Sequence, residues 1–367
     1  MSTFTVTARR IRLQPIDNAD RLELAMIDGT EYMAVVQKGL HSDGDLIVYI
    51  PEQSILTDEI IAEMGLVSED GSTMLAGGTL NPDGSKKHNR VKALRLRGTL
   101  SQGLVYRHTG SLGELVEGTD YAEQLGIIKY VPPVPVNMAG KFEPAAEMSG
   151  YTDIENIKHF PNVLADGEEV IASEKLHGTC SIMALSADGE FLVSSKGYAS
   201  QHLSIVPERD GDGKLINVYH RIAEKFKIEE FLRELAAERP GQTLTLFGET
   251  LGVQDLMYGL QKGQLDFRAF DLRAGDRYLN YDEFLALCDR FGVPTVPILY
   301  RGPYSRAAIE EAATGREQMT GKEQNIREGV VVRPTTERRD QKLGRVILKV
   351  ISPKYLLRKG EDATEFE

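Results

Sequence analysis

Three prolines in five residues, Val131-Pro132-Pro133-Val134-Pro135, cut this sequence in two. Proline has no amide hydrogen and a fixed φ, so the run extends neither a helix nor a strand ladder and favours an extended spacer. Each flank must then bury a core of its own. The chain has 367 residues, room for about two domains of ordinary size. We expect a module over residues 1–130, a linker over 131–146 and a second domain over 147–367.

The first flank predicts many short strands. Thr3–Leu13 alternates, Glu23–Ile27 runs into the hairpin signal Asp28-Gly29, and Met33–Gln37 and Leu46–Ile50 are split by Ser42-Asp43-Gly44. Val91–Leu96 and Gly103–Arg107 follow a polar stretch at 77–90. Short strands joined by Gly-rich turns point to a small barrel. The second flank mixes types. Strands are expected at Glu168–Lys175, Ser181–Leu185, Glu190–Ser194, Thr243–Glu249, Leu265–Leu272, Val330–Arg333 and Val346–Ile351, and helices at Val218–Arg239, Tyr281–Phe291 and Arg306–Thr314. The fold class is α+β, with mostly antiparallel strands.

Charge and cysteine content narrow the function classes. A net charge of −12 argues against a protein that coats nucleic acid nonspecifically, which should be basic overall. It leaves room for local basic clusters, one at Lys86–Arg97 and another formed by Arg327, Arg333, Arg338, Arg339, Lys342, Arg345 and Lys349. Taken alone, each is an ordinary solvated face. Cys180 and Cys288 are too few for a disulfide framework or a four-cysteine zinc site, and we expect a reducing compartment, the cytoplasm. No apolar run approaches the roughly 20 residues of a membrane span, and nothing demands more than a monomer.

Five segments carry the candidate chemistry. In Ser173-Glu174-Lys175-Leu176-His177-Gly178-Thr179 a lysine ends a strand, and a glycine follows where the backbone must turn tightly near a ligand. Lysine becomes a covalent nucleophile when burial or neighbouring cations disfavour its ammonium form. Next come Leu244-Thr245-Leu246-Phe247-Gly248-Glu249, then Asp266-Phe267-Arg268-Ala269-Phe270-Asp271-Leu272. Arg327-Glu328-Gly329-Val330-Val331-Val332-Arg333-Pro334 and Leu348-Lys349-Val350-Ile351-Ser352-Pro353-Lys354-Tyr355 complete the set. Singly, each is a core strand with flanking charges.

Their order resembles the covalent nucleotidyltransferase superfamily of polynucleotide ligases and mRNA capping enzymes. Lys175–Gly178 matches motif I, Ser194-Ser195-Lys196-Gly197 motif Ia, Phe247-Gly248-Glu249 motif III, Phe267–Asp271 motif IIIa, Glu328-Gly329 motif IV and Lys349 motif V. Pro15–Ala25 resembles the opening of OB-fold modules. DNA ligases and capping enzymes carry a further OB domain after motif V, for which the residues after Tyr355 leave little room, and they usually have Asp where motif I has His177. The whole chain therefore resembles nick-sealing RNA ligases, with an N-terminal OB-like β-barrel and a minimal adenylyltransferase domain of ATP-grasp-like antiparallel sheets plus helices. Motif V often has a second lysine, absent here unless Lys354 replaces it, and motif Ia often has Arg in place of Lys196.

The resemblance implies ATP as substrate, AMP carried on Lys175, transfer to a 5′-phosphate, and attack by a 3′-OH. It implies Mg²⁺ or Mn²⁺ held by Glu249 and Glu328, with Lys196 and Lys349 at the phosphates and Phe270 stacked on adenine. Glu174, Leu176, His177, Gly178 and Asp271 would line the nucleotide pocket. The partner would be RNA or an RNA-containing nicked duplex, met in part by the Lys86–Arg97 strip. The alternatives are a DNA ligase or capping enzyme, or a noncatalytic OB-fold RNA-binding protein with a decayed nucleotidyltransferase domain.

Overall fold

In the computed structural model the described residues are 4–358, apart from Asn18, Pro82, Thr109, Ser111, 132–137 and Ala139. The prolines of the expected linker lie outside them. The described residues form two compact units: 4–131 with Glu155–Pro161 and 356–358, and 138–154 with Asn162–Tyr355.

The first unit is built on strands β1 (Thr7–Pro15), β2 (Leu22–Ile27), β3 (Met33–Gln37), β4 (Leu46–Ile50) and β5 (Leu104–Tyr106), paired antiparallel in the order β5-β4-β1-β2-β3. Gln102 N–H donates to the Met33 carbonyl at 2.8 Å and Val35 N–H to Ser101 Oγ at 2.9 Å, bringing the chain before β5 back to β3. The result is a near-closed five-strand barrel of OB type. Alternation on β4 serves two cores: Ile47 and Tyr49 pack inside with Ile11, Ile27 and Val105, while Val48 and Ile50 pack outside with Leu56 and Ile60. The polar stretch at 77–90 is not a loop. Ala76–Leu80 and Lys86–Arg90 form a hairpin, pinned by buried Asn89, whose Oδ1 accepts Thr79 N–H at 3.1 Å. The unit also draws on Glu155–Pro161, from beyond the proline run: Glu31 N–H donates to the Lys158 carbonyl at 2.9 Å.

The second unit is α+β. Its chain-order elements are β6 (Glu169–Lys175), β7 (Thr179–Leu185), β8 (Phe191–Ser195), α1 (Val218–Lys225), α2 (Ile228–Glu238), β9 (Leu244–Leu251), β10 (Asp266–Ala274), α3 (Tyr281–Phe291), β11 (Ile298–Pro303), α4 (Arg306–Ala313), β12 (Gly329–Pro334) and β13 (Leu348–Ile351). One antiparallel sheet sets β6 between β11 and β12, with β13 outside β12. The other runs β8-β7-β9-β10. Helices α1, α2 and α3 cover the second sheet, burying Ile222, Leu232, Leu235 and Phe284 against Met183, Leu246 and Phe267. The single helix expected over Val218–Arg239 is two, because Lys227 takes a left-handed φ of 52° and redirects the chain. Phe142–Pro144, inside the expected linker, pairs with Leu203–Ile205.

The connection between the sheets places the chemistry. β6 belongs to one sheet and β7 to the other, so Leu176-His177-Gly178 is where the chain crosses between them. A Cβ on Gly178 would sit 2.2 Å from the Thr250 carbonyl oxygen, and one on Gly329 would sit 2.0 Å from that of Val350. Both glycines are therefore required by close backbone packing, a different reason from the ligand approach expected for Gly178.

Candidate active site

Lys175 ends β6, opposite Gly329 of β12, which faces Ile351 of β13. Two residues back, Ser173 faces Val331, which faces Lys349. Alternation along a strand and pairing across it put Lys175 and Lys349 on one face and Glu174 on the other. Lys175 Nζ is ion-paired with Glu328 Oε1, the lysine side chain 24% exposed and the carboxylate 3%. The amine thus sits on a buried anion while part of its side chain reaches solvent.

Burial pushes the Glu328 carboxyl upward, yet Lys175 and His177 together hold it below the usual carboxylate range. Its Oε2 makes no hydrogen bond, and His177 Nδ1 stands 3.6 Å away. Glu249, half-buried near the end of β9, accepts the Gly178 N–H at 2.8 Å. Burial, reinforced by Glu328 and opposed by Lys175, pushes its carboxyl up to about 7. His177 is buried, with Nε2 on Asp255 Oδ1 and Nδ1 2.7 Å from Tyr355 Oη. Burial lowers its pKa, but Asp255 and Glu328 outweigh that and raise it.

Leu176 is buried in an apolar cluster with Leu251, Tyr258 and Val296, against which Met319 and half-buried Phe270 pack. Phe270 is the extra residue where the β9–β10 register shifts between Phe247 and Gly248, and such a bulge re-aims a side chain. Lys196 opens a short helix, Lys196–Ala199, with Nζ 3.0 Å from Asp153 Oδ1.

Three expected pocket residues turn out to have other partners. Glu174, on the far face, accepts Gln318 N–H at 3.1 and 3.0 Å, and burial pushes its carboxyl up to about 7. Asp271 is fully buried and takes Tyr151 Oη at 2.7 Å, Arg333 at 3.0 Å and Arg345 at 2.7 Å. Gly178 spends its missing side chain on Thr250. Lys354 faces solvent while its neighbour Tyr355 is buried against His177. The second basic cluster is largely internal: Arg327 donates to the carbonyls of Ala312, Thr314 and Arg316, and Arg338 pairs with Glu168 at 2.6 Å. In the Lys86–Arg97 strip, Asn89 and Arg90 are buried, whereas His88, Lys92, Arg95 and Arg97 are exposed.

Sequence reasoning missed Gln254, Asp255 and Tyr258. Gln254 Nε2 donates to the Gly178 carbonyl, and the His177 N–H donates to Tyr258 Oη at 2.8 Å. Their nearness to Glu249 in the chain was the available signal, but nothing in one sequence pairs them with residues some 80 positions earlier.

Among the described residues no three carboxylate, imidazole or thiol groups converge as a metal cage. A divalent cation such as Mg²⁺ keeps much of its water and needs only one or two carboxylates. Glu249 and Glu328 fit that need, since Glu328 Oε2 is buried without a hydrogen bond.

Comparison with known proteins agrees with this architecture. The RNA ligase family model matches residues 168–351, and an OB-fold domain model matches residues 5–107. The chain belongs to the RNA ligase family. Among solved structures, Naegleria gruberi RNA ligase with pyrophosphate is 25% identical, covers 96% of this chain and 98% of its own, and superposes with a TM-score of 0.75. Variants of that enzyme with ATP and manganese, and with AMP and manganese, are 24% identical, with TM-scores of 0.73 and 0.74 over 96% of this chain and 98% of theirs. Direct comparison with curated protein sequences finds no match.

Proposed function

We propose that this RNA ligase uses ATP to join a 3′-OH to a 5′-phosphate, carrying AMP on Lys175, with nicks containing RNA as its substrate. The observation that carries the proposal is the Lys175 amine, partly open to solvent and seated on buried Glu328. In the first step the Lys175 ammonium gives up a proton to water, the freed Nζ lone pair attacks the α-phosphorus of ATP, an Nζ–P bond forms as the bond from the α-phosphorus to the bridging oxygen breaks, and pyrophosphate leaves. In the second, a 5′-phosphate oxygen displaces Lys175 from AMP, leaving an adenylylated end. In the third, the 3′-OH loses its proton to water and attacks the 5′-phosphate phosphorus, the phosphodiester forms as the bond to the bridging oxygen breaks, and AMP leaves.

The residues suit those steps. Glu328 fixes the Lys175 side chain in place through the ion pair, which favours its ammonium form until a proton leaves. Glu249, whose carboxyl burial pushes up to about 7, can take up a proton or, when ionised, bind a cation near neutral pH. Lys349 shares the face of Lys175, so its charge meets the phosphates from the same side. Leu176 and Phe270 offer an apolar slot for adenine. A divalent cation, when bound by Glu249 and Glu328, supplies positive charge that disfavours the ammonium and steadies charge on phosphate. The Naegleria enzyme has been solved with pyrophosphate, ATP and AMP, the ligands of such a transfer. The exposed part of Lys86–Arg97 would meet phosphates of the duplex.

The test is incubation with ATP labelled at the α-phosphate, with Mg²⁺ or Mn²⁺, followed by denaturing electrophoresis. Bound AMP is stripped beforehand with pyrophosphate. A labelled band in the wild type that Lys175→Ala lacks supports the proposal, as does sealing of a nick with an RNA 3′-OH. A wild type that never labels ends it.

A further inference from the structure

The loop between β9 and β10 has no part in the chemistry described above, yet it touches the crossing that carries the nucleophile at every residue after Leu176. Gln254 donates from Nε2 to the Gly178 carbonyl. Tyr258 Oη accepts the His177 N–H at 2.8 Å. Asp255 Oδ1 meets His177 Nε2. The loop is itself a closed unit. A Cβ on Gly252 would lie 2.2 Å from the Gln264 carbonyl oxygen, so the two ends of the loop are pressed together, and Leu260 N–H returns to the Met257 carbonyl at 2.8 Å. Tyr258 and Leu260 also join the apolar cluster around Leu176.

We propose that this loop positions the nucleophile, and that Asp255 is a positioning residue which sets the orientation of His177. The proposal rests on the adenylyl-transfer reading. Three groups bracket the imidazole: Asp255 at Nε2, Tyr355 Oη 2.7 Å from Nδ1, and Glu328 Oε2 3.6 Å from Nδ1. Tyr355 alone leaves the ring free to pivot about its Nδ1 contact. Asp255 closes the second end, so Nδ1 stays aimed at the carboxylate whose other oxygen holds Lys175. A carboxylate behind an imidazole fixes both its rotation and its tautomer, as outer-shell partners of catalytic and metal-binding histidines do. The loop needs no contact with ATP to act: it reaches Lys175 through His177 and Glu328. Its Asp255 side chain is 31% exposed, so exchanging it removes little packing.

The test uses the full chain and single-turnover formation of the labelled enzyme–AMP adduct, with rate and ATP dependence measured separately. Asp255→Ala is expected to slow the maximal rate about tenfold or more, the usual cost of losing a charged hydrogen bond or outer-shell partner. The ATP concentration at half-maximal rate should stay within about twofold, since no nucleotide contact is lost. Asp255→Asn keeps an oxygen acceptor in place and should recover most of the rate. Thermal midpoints identify any variant that fails to fold. If Asp255→Ala is unfolded, Asp255→Leu, which also removes the oxygen at Nε2, carries the same comparison against Asp255→Asn. A folded Asp255→Ala that labels at the wild-type rate overturns the proposal, and so does a loss seen only in ATP affinity. Wild-type enzyme that does not label fails the adenylyl-transfer reading instead, so the two failures are distinct.

Discussion

Two buried charge clusters stand on neighbouring strands of the second unit and meet the cost of desolvation differently. Around Asp271 every charge is answered. Its Oδ2 takes Tyr151, Arg333 and Arg345, its Oδ1 takes the Leu272 N–H at 3.1 Å, and Arg345 turns its remaining nitrogens to Glu337 at 2.8 and 2.5 Å. Arg345 also lies over the Tyr278 ring at 3.7 Å and Arg333 over Tyr281 at 4.6 Å. Two carboxylates and two guanidiniums balance, and Asp271 is held below its ordinary range, its burial being outweighed by the two arginines. Around Lys175 the sum is left open. Glu328 keeps one oxygen without a hydrogen bond, and Glu249 is driven to about 7. A saturated cluster has nothing left to offer a ligand. An unsaturated one is costly until a cation, a nucleotide or a proton completes it.

The comparison is broken most directly at its active end. Lys175→Ala should lose the covalent AMP adduct entirely while still sealing a pre-adenylylated strand in part. An adduct on the variant would move the nucleophile elsewhere. At the saturated end, Arg345→Met strips one partner from a buried carboxylate and should cost about 3–5 kcal/mol of stability. Calorimetry reads this as a large fall in melting temperature, and adduct formation per folded molecule should persist. A melting temperature near wild type would mean the cluster is not structural.

Glu249→Gln sharpens the contrast, because it should abolish function and stabilise the protein. The folded pKa of about 7 lies above the ordinary 4.5, so the folded state binds the proton more tightly than the unfolded. That contribution is complete below about pH 4.5 and is lost as pH rises toward 7. Gln mimics the protonated form at all pH values. In EDTA, the variant should gain about 3 kcal/mol over wild type at pH 8 and less than about 1 kcal/mol at pH 5. A pH-independent difference would show that Glu249 is not held up by its site. Asp271 has the opposite sign: its stabilisation is present above about 3.8 and fades only as pH falls through its lowered value.

The smallest effect belongs to charges left in water. Reversing Lys92, Arg95 and Arg97 should move stability by less than about 0.5 kcal/mol. Nick sealing should weaken, and the salt dependence of duplex binding should flatten by about one unit of slope per lost phosphate contact. Unchanged sealing and salt dependence would remove this strip from the substrate path.

Much of this molecule was legible in its sequence, for reasons that differ by element. β3 and β4 match their expected spans because alternation and bounding turns are local signals. The hairpin at Ala76–Leu80 and Lys86–Arg90 was hidden because polar side chains carry it, and Asn89 stabilises it from a strand away. The break at Lys227 was hidden because two successive amphipathic helices show one unbroken periodicity. Motif order groups Lys175, Glu249, Glu328 and Lys349 into one expected site, and the structure pairs Lys175 with Glu328 and puts Lys349 on the face of Lys175. Glu174 and Asp271 were misplaced because proximity in sequence does not say which face of a sheet a side chain takes.

The sequence by itself determined the family, the order of the motifs and the residue types on which covalent nucleotidyl transfer would depend. These are properties of composition, spacing and strand-forming segments, and they need no knowledge of partners. Only the tertiary structure decided which carboxylates are answered and which are left open. It turned Asp271 and Arg345 into a structural pair, set Glu328 beneath Lys175, and brought Asp255 to His177. Those outcomes depend on pairings across 60 to 180 residues, and the pKa values follow from burial, which no single position in a sequence encodes.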